Sequence, residues 1–133
     1  MLYTDKFLYV GYRAFRDQVK TSILPRDDFK MFTSGQDMVS IQIDTFGDAR
    51  NWVGLVANAL GSQLDGSRIE PRGVQQGPGA GGWSLESNYD FETSGRVTDF
   101  GYEVEFKIPF SSISFPNSKN QKWKIGILEK CNL

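Results

Sequence analysis

Alternation is the dominant pattern along this chain. In residues 37–46, "DMVSIQIDTF", Val39, Ile41 and Ile43 fall on one side, while Ser40, Gln42 and Asp44 fall on the other. That period of two predicts a β-strand with one buried face. Residues 102–110, "YEVEFKIPF", repeat it, with Tyr102, Val104, Phe106 and Ile108 as the buried row and Glu103, Glu105 and Lys107 in water. Pro109 ends the pairing there, because proline has no N–H to donate. Residues 122–130, "KWKIGILEK", place Trp123, Ile125 and Ile127 inward. Further strands are predicted over 6–15, 50–60, 62–70 and 88–97, the third and fourth of the chain joined by a turn at Leu60-Gly61. Helix is confined to single turns in 24–32, where Pro25 stands near the start, and in 111–115. Seven short strands punctuated by glycine, proline and asparagine predict an all-β, antiparallel β-sandwich of the jelly-roll kind.

Composition narrows the chemistry. The 133 residues suffice for one domain with a real core. Lysine and arginine number 15 against 16 acids, so no basic surplus exists to meet nucleic acid or an anionic membrane. There is no histidine, which removes the Ser-His-Asp triad, the Cys-His pair, the HExxH zinc site and the usual haem ligand. The single cysteine, Cys131, has no partner within the chain for a disulfide. No run approaches the roughly 20 apolar residues that span a bilayer. The first residues run into a strand without a signal peptide.

Residues 73–88, "GVQQGPGAGGWSLESN", break the β pattern. Gly77, Gly79 and Gly82 satisfy GxGxxG, yet neither a βαβ unit nor a following helix surrounds them, so the dinucleotide reading fails. A glycine-rich connection remains, carrying Trp83 either as a lid on the scaffold or as a ligand platform.

Several segments together resemble the family 9 carbohydrate-binding modules. "LYTDKFLYVGYRA" is similar to that family's LYxDxxLYVGxRA strand, and "QDMVSIQIDTFGDARNW" to its DDxVxIxLDxxxDxRxxY hairpin. "NALGSQLDG" resembles NPxGxQxD, "GYEVEFKIPFSSISFP" resembles GWxxExxIPFxSLxFP, and "WKIGILEK" resembles WGINFxR. The copy it looks most like stands at the front of large bacterial envelope proteins. The resemblance implies a jelly-roll sandwich that binds sugar without catalysis, exported as a periplasmic, outer-membrane-associated or secreted part of a larger protein. It also implies aromatic rings that sandwich the sugar, and calcium steadying loops. A DGxxDExxW segment that precedes the first strand in the family has no counterpart here. The chain over 1–133 therefore reads as a truncated domain with an unfinished sheet edge, open to homodimer formation.

Sugars offer apolar C–H faces to aromatic rings and hydroxyls to planar amides and arginine. That chemistry selects Trp83 and Trp52 as platforms, with Arg68, Asn88 and Gln63 as polar partners and Glu70 and Arg72 as further hydroxyl-binding candidates. Calcium would use Asp37, Asp44 and Asp48, although the family's acidic pair stands here as Gln36-Asp37. Glu103 and Glu105 carry the spacing of a glycosidase pair, but the alternation projects both into solvent beside Lys107. The main expectation is a non-catalytic sugar-binding module. Its rivals are a structural or interaction sandwich that has lost the sugar site and, more distantly, a haem-binding sandwich, for which Met31 and Met38 are the internal thioethers.

Overall fold

A computed structural model describes residues 1–69 and 82–131. Two antiparallel sheets carry the fold. The first contains β1 (Leu2–Tyr3), β2 (Phe7–Phe15), β7 (Glu92–Val97) and β8 (Gly101–Pro109), in the order β1-β2-β8-β7. The second contains β3 (Met38–Asp44), β4 (Asn51–Asn58), β5 (Gln63–Ile69), β6 (Trp83–Ser84) and β9 (Lys124–Lys130), in the order β6-β5-β4-β3-β9. Consecutive strands β2 and β3 lie in opposite sheets, and each pairs with one strand of the equally divided β8 and β9. The two sheets pack as an all-β antiparallel sandwich.

The core lies between the sheets because the two inner rows are apolar and in phase. Val39, Ile41 and Ile43 of β3 meet Tyr102, Val104, Phe106 and Ile108 of β8, all withdrawn from solvent. Leu8 and Val10 of β2 and Leu55 and Ala57 of β4 complete the layer. Each large side chain buried this way contributes about 1.5–3 kcal/mol through its lost apolar surface. The ring of Phe91 stacks on that of Phe106, with centroids 6.3 Å apart.

The seven strands expected from alternation all form, within a few residues at their ends. β1 and β6 are extra, and at two residues each they are too short to show a period. The helical turn α1 (Lys30–Thr33) begins later than expected, and the Asp28 carboxylate just before it accepts the Lys30 N–H at 2.9 Å. The second turn is a 3-10 turn over Phe110–Ser112.

The inward row expected in β9 needs correction. Trp123 and Ile125 pack against the core, Trp123 meeting Phe110 edge-on at 5.7 Å, but Ile127 is 43% exposed. β9 is an edge strand bonded only to β3 among the described residues, so the face turned inward has no neighbour to cover its far end. Glu70, Arg72, Gly77 and Gly79 lie outside the described residues.

Candidate functional site

The outer face of the second sheet holds the site. Register aligns its outward side chains in rows across the strands. Leu128, Ser40, Val56 and Leu64 form one row, and Gly126, Gln42, Gly54 and Gly66 form the next. Gln42 is thus the one residue of its row with a side chain.

Two elements wall this floor. On one side, α1 inserts Met31 against Met38, Val56 and Leu64, with Leu24 and Phe32 beside it. The Phe29 and Phe32 rings meet at 5.7 Å, and Lys130 Nζ donates to the Phe32 carbonyl at 2.9 Å, fastening the turn to β9. On the other side, β6 pairs with β5 through Ser67–Ser84 and Arg68–Trp83. The Trp83 ring lies back over Gly54, where an added Cβ would come within 2.7 Å of Cζ3. Gly66 gives the same clearance to the Ser84 carbonyl. These close approaches are what glycine permits and any larger residue forbids.

Between the walls is a cavity of about 400 Å³, lined by Phe29, Phe32, Val56, Leu64, Trp83 and Leu128 among others, with Ser40 and Gln42 on its floor. Its size is that of a small-ligand pocket. Among the described residues, neither the Ser40 hydroxyl nor the Gln42 amide has a hydrogen-bond partner in the protein. Both remain partly open to solvent, so neither incurs the cost of an orphaned buried group, and both can bond a ligand.

The residues expected to bind sugar are only partly brought together. Trp83 lines the cavity, and it also serves as a lid by covering Gly54. The Arg68 guanidinium sits 5.9 Å from the Trp83 ring centroid, at the rim. Trp52 shares the outer face and is half-buried, one row beyond the cavity wall. Asn88 is exposed in the segment before β7 and does not line the cavity. Gln63 points the other way and is corrected to a structural tie. Its Nε2 donates to the Phe91 carbonyl at 3.1 Å and to Thr93 Oγ1 at 2.9 Å, while its carbonyl accepts from Arg26 at 3.0 Å.

The three aspartates suggested for calcium do not converge. Asp37 and Asp44 stand at opposite ends of β3, roughly 20 Å apart at about 3.3 Å per residue. Asp37 accepts the Lys20 N–H at 2.6 Å. Asp44 is fully buried and accepts the N–H groups of Phe46, Gly47 and Ala49, folding the β3–β4 turn around itself. Asp48 accepts the Arg50 N–H at 2.9 Å. No group of three or more potential metal ligands occurs among the described residues.

Glu103 also departs from expectation. It is not simply a solvated side chain, because Arg13 Nε at 2.7 Å and Arg96 Nε at 2.8 Å clamp it from the neighbouring strands. The hydrogen bonds from Arg96 and Arg13 hold its carboxyl below the usual carboxylate range. That environment is opposite to the one that keeps a general acid protonated. Asp65 differs again. Burial pushes its carboxyl up, while it accepts the Tyr89 N–H at 2.7 Å and pairs with Arg26 at 3.1 Å.

Sequence reasoning missed Gln42, Ser40, Phe29 and Phe32. Gln42 and Ser40 read as an ordinary wet strand face, and only the facing glycines of three strands signal otherwise. The chain matches no family model, no curated protein and no solved structure. No helix among the described residues is long and apolar enough to cross a membrane.

Proposed function

We propose that this chain is a non-catalytic binding module that holds a sugar in the outer groove of its second sheet. The observation that carries this reading is the unpartnered Gln42 amide and Ser40 hydroxyl on the floor of a cavity walled by Trp83 and the Phe29–Phe32 pair. A sugar ring presents C–H patches on its faces and hydroxyls at its edges. Rings at the sides and a planar amide beneath meet both. The amide can donate to one hydroxyl and accept from its neighbour, which orients the ring. The family resemblance supports the same reading, and with it a place in the bacterial envelope as part of a larger protein.

Titration of xylo- and cello-oligosaccharides, followed by calorimetry and tryptophan fluorescence, tests this. Gln42→Ala should weaken binding at least tenfold with an unchanged melting temperature. A folded wild-type chain that bound no glycan would overturn the proposal.

The open edge of β9 favours a second reading, an interaction domain. Ile127 and Leu128 are both exposed there beside a strand edge with no partner among the described residues. Such edges template pairing with another chain, a second copy included. Sedimentation equilibrium should then show dimers that Ile127→Lys disperses. Monomers at high protein concentration would rule this reading out.

A further inference from the structure

The groove is far less polar than an unmodified sugar. Phe29, Phe32, Val56, Leu64, Leu85 and Leu128 line it, and Ser40 and Gln42 supply the uncommitted polar groups on its floor. Lys130 is spent on the Phe32 carbonyl, and Glu129 on Arg16 and the Tyr102 hydroxyl. A hexose carries a hydroxyl on nearly every carbon. Most of these would enter this cavity without a partner, and an unpaired buried hydroxyl opposes binding.

Resting on the sugar-binding reading, we propose that the groove selects sugars bearing methyl groups where a plain hexose has free hydroxyls. Two sources carry that chemistry, 6-deoxyhexoses and O-acetylated sugar units. In both, the methyl enters the apolar walls. The remaining hydroxyls, or the acetyl carbonyl, fall to Gln42 and Ser40. The Gln42 Nε2 donates to a carbonyl as readily as to a hydroxyl oxygen. One methyl in a well-fitting apolar pocket shifts affinity by about tenfold or more.

The test is calorimetric, on the whole chain, with matched ligands. Acetylated xylo-oligosaccharides would be compared with the same sample after mild alkaline deacetylation, and fucosyl and rhamnosyl disaccharides with galactosyl and mannosyl ones. The expected result is at least tenfold tighter binding of one methyl-bearing class. Loss on deacetylation identifies acetyl as the source, and preference for fucose or rhamnose identifies the deoxy sugar. Val56→Thr, which adds a hydroxyl to the apolar wall, should narrow that preference. Its melting curve reports whether the fold survives. Equal affinity for plain and methyl-bearing sugars would overturn this proposal and leave sugar binding standing. Binding of neither would overturn both.

Discussion

Asp44 shows how one side chain can set a turn. Its carboxylate takes three backbone N–H groups from Phe46, Gly47 and Ala49, with distances of 3.1, 2.9 and 2.6 Å. Ala49 stands there with a positive φ of 58°, a conformation that needs such local bonding to persist. Asp44→Ala should therefore cost about 2–4 kcal/mol, since it strands several donors at a buried site. A urea titration would read this as a lower midpoint with little change in slope. Gly54 works by absence. Gly54→Ala should lift the Trp83 ring from the sheet and shift its emission to the red, a change that Trp83→Phe abolishes. Glu103 governs a pH response. Its folded pKa lies below the unfolded value, so its contribution is complete above about pH 4.3 and is lost as pH falls further. Asp65 acts with the opposite sign. Its folded pKa is raised, so its contribution is complete in acid and declines as pH rises through that value. Thermal melts between pH 6 and pH 3 should show a smaller acid loss in Glu103→Gln than in the wild-type chain.

At the scale of elements, α1 is the clearest case of structure held by packing. Four residues cannot sustain a helix in water. The turn persists because Met31 is fully buried against Met38, Val56 and Leu64, and because Lys130 holds the Phe32 carbonyl. Met31→Ala should cost about 2–4 kcal/mol in chemical denaturation and loosen the Phe29–Phe32 wall. β8 was legible in the sequence because its inner row faces a complete opposite layer, so burial follows the period from Tyr102 to Ile108. β9 shares the same alternation, but as an edge strand it leaves Ile127 uncovered. Periodicity reports which face a residue takes, and not whether anything lies above that face. β6 was illegible for a simpler reason. Two residues hold no period, and its pairing with Arg68 and Ser67 is a tertiary fact.

The whole molecule explains why the sandwich could be read and the site only in part. Core rows depend on alternation within each strand, which is local information. The groove depends on register between four strands, which brings Gly126, Gln42, Gly54 and Gly66 into line from distant parts of the chain. Trp83 was recognisable because a large ring in a glycine-rich stretch has no local explanation. Gln42 was hidden because, strand by strand, it resembles any solvated position. Gln63 misled because an amide near a loop looks free until the first sheet arrives, where Phe91 and Thr93 accept its hydrogen bonds.

The β2–β8 ladder has a kinetic consequence. It joins Phe7 to Pro109 and Phe15 to Gly101, so β2 is made well before β8, its long partner among the described residues. Contacts this distant in sequence place folding in the millisecond-to-second range. During synthesis β2 must wait for β8, while the β3–β4 hairpin between them can form first. Stopped-flow refolding should show that middle hairpin gaining protection from hydrogen exchange ahead of β2.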